Sequence, residues 1–209
     1  MRTKSRLAAL PFELIAGRDG AVAMEFALIF PVMFTLFMGS IEITNLLMAN
    51  LKTTAATEAT SDLVAQTRAT ANTSTKATLH SYYLAAGIIM SPYPTSGTAT
   101  PPNPAPPLLK VAFASIVFDA ASNPSVGWHY EENSAPAITT ASLDTATLKN
   151  LLENTTSPTS DSVVMVKTTY VFNSPISFLL AKTYTFTDIA YNHPRYVPQV
   201  ACTDCAVGG

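Results

Sequence analysis

The residues best suited to chemistry are two cysteines near the C-terminus, in the motif Cys202-Thr203-Asp204-Cys205. Haem attachment is excluded, because Ala206 stands where that motif requires histidine. A zinc site would need two more ligands nearby, and a thioredoxin-like site would need a helix N-terminus after a strand. If this region is extracytoplasmic, we expect a structural disulfide. A membrane-tethered thiol–disulfide enzyme is the alternative, and replacing both cysteines would separate the two.

The other candidate acids, bases and nucleophiles form no catalytic motif. The histidines His80, His129 and His193 lie on unrelated segments, and the sequence has no nucleophile elbow, phosphate-binding glycine loop or metalloprotease helix. Glu131 and Glu132 are adjacent, and adjacent side chains of a strand point to opposite faces. We therefore predict that the protein is not an enzyme and holds no cofactor and no metal.

The composition favours an apolar environment and argues against nucleic acid as a partner. Hydrophobic residues make up 48% of the 209 residues and charged residues only 12%, compared with about 25% in an average soluble domain. The net charge is −2, without the dense basic patch that nucleic-acid binding requires. Four of the 12 cations and two of the 14 anions lie in the first 20 residues. This basic start indicates that the N-terminus stays in the cytoplasm.

One apolar segment, Ala21 to Met48, is long enough to cross a bilayer. About 20 apolar residues span the hydrocarbon core as a helix, and no charge occurs between Phe26 and Ile41. The preceding cations place its N-terminal end inside. A cleaved secretory signal is the natural competitor, but this run is too long, and continued helix is expected after Met48 in place of a cut site.

Two glutamates flank the apolar segment. Glu25 and Glu42 are 17 residues apart, a helical rise of about 25 Å, which is slightly less than a bilayer core. We expect Glu42 to lie at the outer interface and to be hydrated. Glu25 lies near the cytoplasmic end, where an intramembrane carboxylate is a functional-site hypothesis by default.

The residues around Glu25 form the most specific pattern. Gly20 is followed by AVAMEFALIFPVMF, which resembles the processing site of type IV prepilins. In that family a membrane peptidase cuts after the glycine and removes the basic leader. The resemblance implies a cut between Gly20 and Ala21. The new α-amine is repelled by its own helix dipole, and Glu25 of a neighbouring helix can pair with it, which avoids two unpaired charges in a medium of low dielectric constant.

A longer stretch resembles the TadE-like family of minor pseudopilins in tight-adherence (Flp-type) pilus systems. The features that carry the resemblance are the Gly20-Ala21 site, Glu25-Phe26, Pro31, Gly39-x-x-Glu42, and an Ala- and Thr-rich helix with Glu58 and Asp62. Near the C-terminus, His193-Pro194-Arg195-Tyr196 resembles the Arg-Pro-Arg ending of the family, with His where Arg is usual.

The resemblance implies a structural role in pilus assembly, with Gly20 and Ala21 as the processing site and Glu25, Phe26 and Glu42 as assembly residues. It implies four partners: other pilin-like subunits, a prepilin peptidase, an inner-membrane assembly platform and the lipid bilayer. The protein would lie in the bacterial inner membrane with its C-terminal domain in the periplasm. Incorporation into the extracellular pilus stays open. The alternative is an uncleaved single-pass anchor or a periplasmic binding protein of the pilus base.

Five segments follow from these patterns: a leader over 1–20, a transmembrane helix over 21–48, a helical extension over 49–90, a proline-rich linker or loop over 91–107, and an extracytoplasmic domain over 108–209. The extension has a thin apolar stripe, so we expect a sheet or other subunits to cover it. We expect it to break near Asn72-Thr73-Ser74.

The last segment predicts an α+β domain with a mainly antiparallel sheet. Its strand candidates, recognised by apolar runs or by alternation, are Leu109–Asp119, Ser125–Glu131, Ser162–Phe172 and Lys182–Tyr191. A short helix is expected over Ser142–Glu153, where Leu148, Leu151 and Leu152 have helical spacing.

Overall fold

The computed structural model describes residues 18–67, 73–99, 103–154, 156–178 and 181–208. Two compact units share these residues. The first contains the long helix α1 (Arg18–Ala65) as far as Asn45, together with Ser174–Lys182. The second contains Leu46–Asn173 and Thr183–Gly209. Helix α1 is continuous through Pro31, which lies inside it.

The second unit is an α+β domain, as the sequence predicts. After α1, its elements are β1 (Thr73–Ser74), α2 (Lys76–Ile89), β2 (Leu109–Phe118), β3 (Pro124–Glu132), α3 (Thr145–Leu151), β4 (Ser162–Asn173), β5 (Thr183–Asn192), β6 (Ala201–Cys202) and β7 (Ala206–Val207). The main sheet has the order β5-β4-β2-β3-β7, and all neighbouring strands are antiparallel. The four predicted strands correspond to β2–β5 within two residues at each end.

The strand sequences explain where each strand lies in the sheet. Strand β2 is almost wholly apolar and is buried on both faces between β3 and β4. Strand β5 alternates and pairs only with β4 in the main sheet. Its Tyr184 and Phe186 are half-buried, while Thr183, Thr185 and Thr187 are exposed, so the predicted alternation is confirmed.

Each face of the sheet carries its own hydrophobic cluster. Val111 and Phe113 of β2 belong to the cluster that includes α1 and α2 residues. Ala112 and Ala114 belong to the opposite cluster, which Leu148 of α3 completes. Alternate side chains of one strand point to opposite faces, so a continuous apolar strand supplies both clusters.

The C-terminal half of α1 packs in the second unit through small residues. Ala49 and Ala56 are fully buried there, as are Thr53, Thr57 and Thr60. Each of these threonine hydroxyls donates to the carbonyl four residues earlier, at 2.7–2.9 Å. The helix can therefore bury polar side chains without leaving them unpaired. Ala49, Ala56 and Val64 belong to the hydrophobic cluster that contains β2 side chains, so the sheet covers part of the predicted stripe, whereas Leu51 is 62% exposed.

The helical extension breaks where the sequence predicts, and its first helix ends several residues before the break. Helix α1 ends at Ala65, and β1 occupies Thr73–Ser74 before α2 begins at Lys76; Asn72 lies outside the described residues. Thr75 caps α2 by accepting from the Thr78 amide at 3.2 Å. The predicted helix over Ser142–Glu153 is also shorter, because the Asp144 side chain caps α3 and starts it at Thr145.

The described part of the proline-rich segment folds back on itself. The Gly97 amide donates to the Pro106 carbonyl at 2.8 Å, and the Leu108 amide donates to the Thr95 carbonyl at 2.9 Å. The Tyr170 hydroxyl donates to the Pro94 carbonyl at 3.0 Å. The segment is thus a loop held against the second unit.

Candidate assembly segment

The N-terminal part of α1 exposes almost all of its apolar side chains. From Ala21 to Phe37 every residue is exposed, including Leu28 at 80%. The most apolar 18-residue window of the helix has a mean hydropathy of 2.1, and none of it is buried. A buried core helix of a soluble protein is covered on at least one face. This segment is therefore apolar surface that requires lipid or another protein.

The predicted processing site lies at the start of the described helix. Gly20 is already helical, and Ala21 and Glu25 are both exposed. Residues four apart lie on the same face of a helix, about 6 Å apart along its axis. The Glu25 carboxylate is therefore one turn from the bond at Gly20–Ala21 and open to a second molecule. The leader over 1–17 lies outside the described residues.

An aromatic stripe runs along α1 beside Glu25. The rings of Phe26 and Phe30 are 5.5 Å apart between centroids, and those of Phe30 and Phe34 are 5.8 Å apart. Together with Met33 and Phe37 they line a shallow groove of about 330 Å³. Side chains spaced by three and four residues form the ridges and grooves with which helices pack. Phe26 is thus one element of a surface that another helix can fill.

Within the first unit, two described residues of α1 are buried, and they lie on the same face of the helix. They are Gly39 and Glu42, and Glu42 is only 2% exposed. Its carboxylate accepts a hydrogen bond from the backbone amide of Phe178, in the segment Ser174–Lys182 of the same unit. The expectation that Glu42 is hydrated is therefore wrong. A loop that is far from Glu42 in the sequence covers it, and no pattern in the residues around Glu42 indicates that contact.

Residues 20–62 match the model of a family described as TadE-like protein. This segment is similar to TadE-like proteins. The match begins at the glycine of the predicted cut site and ends at Asp62, so it includes the whole apolar part of α1. It confirms the resemblance identified from the sequence. Neither a curated protein nor a solved structure matches the chain.

The TadE-like match covers 43 of the 209 residues and suggests a component associated with a pilus. The exposed apolar helix near the N-terminus and the pilus family together indicate a membrane anchor. Among the described residues, α1 is the one helix that is long and apolar enough to cross a membrane.

The two cysteines lie at the opposite end of the chain, in a disulfide. The Cα atoms of Cys202 and Cys205 are 5.5 Å apart, which is ordinary disulfide geometry. Asp204 lies beside them, and its carboxylate accepts from the Lys76 amide at 2.9 Å. Metal ions bind the thiolate form of cysteine, so a disulfide with one aspartate is not a metal site. Its location fits a staple between the short strands β6 and β7.

The three histidines contact different carboxylates, and His193 lies 3.5 Å from Asp161 and 3.8 Å from Glu153. His129 contacts Glu131 at 2.5 Å, and His80 contacts Glu132 at 3.2 Å. Glu131 and Glu132 therefore have separate partners, as expected for adjacent residues of a strand. Burial, followed by the hydrogen bond to Glu132, raises the pKa of Tyr130 to about 12. This phenol remains protonated at neutral pH and acts as a donor.

A C-terminal contact to α1 was not predicted. The Arg195 guanidinium pairs with Asp62, and its backbone amide donates to the Ala65 carbonyl at 2.9 Å. Nearby, the Asn192 side chain donates to Ser61 at 3.0 Å. The segment after β5 therefore satisfies the Ala65 carbonyl, one of those that a helix C-terminus leaves unpaired. Asp62 and Arg195 both belong to the motifs on which the family resemblance is based. Those motifs were the feature of the sequence that could have indicated the contact.

Proposed function

We propose that this protein is a minor pseudopilin, a structural and assembly component of a tight-adherence, type IV-like pilus that a prepilin peptidase processes between Gly20 and Ala21. One observation carries the proposal: the TadE-like match starts at Gly20, and Glu25 follows one turn later on a helix that exposes its apolar surface. A membrane anchor alone would need the apolar surface but not this arrangement of glycine and glutamate.

Processing changes the electrostatics of the helix end. The cut removes the basic leader and creates an α-amine on Ala21. That cation lies at the positive end of the helix dipole and close to hydrocarbon, where an unpaired charge is costly. The exposed Glu25 carboxylate of a neighbouring subunit supplies the opposite charge. Because both groups sit at fixed positions on their helices, the pair also sets the axial stagger between subunits.

The apolar segment supplies the packing surface between subunits. Its exposed side chains face lipid while the subunit is in the membrane. They face other pilin-like helices after assembly, so the environment of the segment stays apolar throughout. The aromatic groove that begins at Phe26 is the part best shaped to accept a neighbouring helix.

The proposed topology puts the N-terminus in the cytoplasm and the second unit in the periplasm. The basic leader supports that orientation, and a disulfide persists in the periplasm and not in the cytoplasm. The platform in the inner membrane and the other pilin-like subunits are the proposed partners. In this role Cys202 and Cys205 act as a structural staple.

The assembly role can be tested with Glu25→Gln and a matched control on the same helix, Glu58→Gln. Both glutamates are exposed, and both substitutions remove a charge with little change in shape. In cells with the pilus system, the protein is purified from detergent-solubilised membranes through a tagged major pilin. We expect Glu25→Gln to be processed but to lose association about tenfold or more, because breaking a buried ion pair costs about 3–5 kcal/mol. Association of Glu25→Gln equal to that of Glu58→Gln would overturn the role of Glu25.

A further inference from the structure

We infer that the loop between β4 and β5 is a second membrane element: its described residues Ser174–Phe178 rest on α1, and Ile176 and Phe178 insert their apolar side chains into the outer-leaflet lipid. The inference depends on the proposed function in one respect, that the apolar part of α1 spans the bilayer. It adds a lipid contact by a segment far from α1 in the sequence.

The position of the loop follows from two contacts within the first unit. The Phe178 amide donates to the Glu42 carboxylate, and the Phe178 ring meets the ring of Phe34 edge-on with centroids 6.4 Å apart. Phe34 and Glu42 are eight residues apart, about 12 Å along the helix. Phe34 lies at the middle of the apolar segment Ala21–Met48, and Glu42 lies near its outer end. Phe178 is therefore at the depth of that segment, where α1 exposes apolar side chains together with Thr35 and Ser40, whose hydroxyls donate to the Pro31 and Phe37 carbonyls at 2.8 Å.

Three backbone amides in the described part of the loop have protein partners. Irregular backbone is tolerated at membrane depth only when its polar groups have protein partners. The Ser174 amide donates to the Lys182 carbonyl at 2.8 Å, and the Ser177 amide donates to the Ser174 hydroxyl at 3.2 Å. Pro175 has no amide hydrogen, and Phe178 bonds to Glu42. These groups are satisfied without water.

The side chains of the loop are those of a membrane interface and not of a solvent-exposed turn. Hairpin connections usually contain Asn, Asp or Gly, and the sequence SPISFLLAK contains none of them. Ile176 is 42% exposed and Phe178 54% exposed. The one charged residue, Lys182, lies at the end of the loop and is exposed. A lysine at such a position can extend its ammonium group to the lipid headgroups while its methylene chain stays apolar.

The loop also accounts for the buried glutamate. A carboxylate on a membrane helix is costly unless it has donors, and the loop supplies a backbone amide to Glu42. The carboxylate in turn fixes the backbone of the loop at Phe178. The hydrogen bond keeps both the Glu42 carboxylate and the Phe178 amide away from lipid. The loop and the helix therefore present one apolar surface.

Quenching of tryptophan fluorescence by brominated phospholipids tests the inference on the full chain in vesicles. The single native tryptophan, Trp128, is 5% exposed in the core of the second unit and provides a constant background. Three variants each add one tryptophan: Phe178→Trp in the loop, Phe30→Trp in the apolar segment of α1, and Tyr196→Trp at an exposed position of the second unit. A thermal unfolding transition in detergent equal to that of the wild type, followed by circular dichroism, establishes that each variant is folded.

We expect Phe178→Trp and Phe30→Trp to lose emission to a comparable extent in brominated vesicles, while Tyr196→Trp does not. Quenching of Phe30→Trp without quenching of Phe178→Trp would overturn the loop inference and leave the membrane-spanning helix intact. Quenching of neither would overturn the membrane-spanning helix itself, and the loop inference with it.

Discussion

Removing the disulfide between Cys202 and Cys205 should destabilise the second unit by a predictable amount. The bond closes a four-residue loop, and the chain-entropy relation gives about 2 kcal/mol for a loop of that size. The loop lies between β6, which pairs with β1, and β7, which pairs with β3. Losing the bond therefore loosens both pairings. For a domain of this size the corresponding fall in the melting temperature is about 4–8 °C.

Trp128 provides the assay, because it is the single tryptophan of the chain and its indole donates to the Val200 carbonyl at 2.6 Å. Thermal unfolding of the full chain in detergent is followed by its fluorescence for the wild type and for Cys202→Ser/Cys205→Ser. Reduced wild type should melt like the double variant, and reductant should not change the variant. Equal melting temperatures of oxidised wild type and double variant would refute the entropic reasoning. Loss of a thiol–disulfide activity with unchanged stability would support the enzymatic alternative.

Three further changes test the packing of the second unit. Thr168→Val should raise the unfolding free energy by about 1 kcal/mol in denaturant titrations, because its buried hydroxyl has no partner among the described residues. Leu148→Ala should lower it by about 2–5 kcal/mol, because Leu148 is fully buried. The hydrogen bonds from Thr147 lower the pKa of Asp144, so its stabilising effect is complete above about pH 4 and is lost as the pH falls through the lower folded-state pKa. Acid unfolding of Asp144→Asn should therefore depend less steeply on pH than that of the wild type, and an unchanged slope would contradict this role of Asp144.

The sequence was informative where a local pattern decides the structure. The apolar run of β2, the alternation of β5 and the exposed helix around Glu25 each follow from the identity of neighbouring residues. The family resemblance depends on the same kind of local pattern, since Ala21 and Glu25 are one turn apart. The α+β class could be predicted because strands and helices differ in their hydrophobic period.

The features that the sequence did not predict are contacts between distant segments. The sequence predicts a hydrated Glu42 at the membrane interface, because no neighbouring residue indicates a partner for its carboxylate. In the structure the backbone amide of Phe178 donates to that carboxylate. The ends of helices were also misplaced, as at Asp144, where a capping side chain competes with the apolar spacing that favours a longer helix. The pairing of Arg195 with Asp62 joins residues that are 133 positions apart, beyond the reach of any periodicity.

The mature N-terminus tests the central claim most directly. The protein is isolated from membranes of cells with and without the prepilin peptidase, and its N-terminal peptide is identified by mass spectrometry. The account predicts an N-terminus at Ala21 that appears only when the peptidase is present. A leader retained through Gly20 in both samples would contradict processing at this bond and would favour an uncleaved membrane anchor.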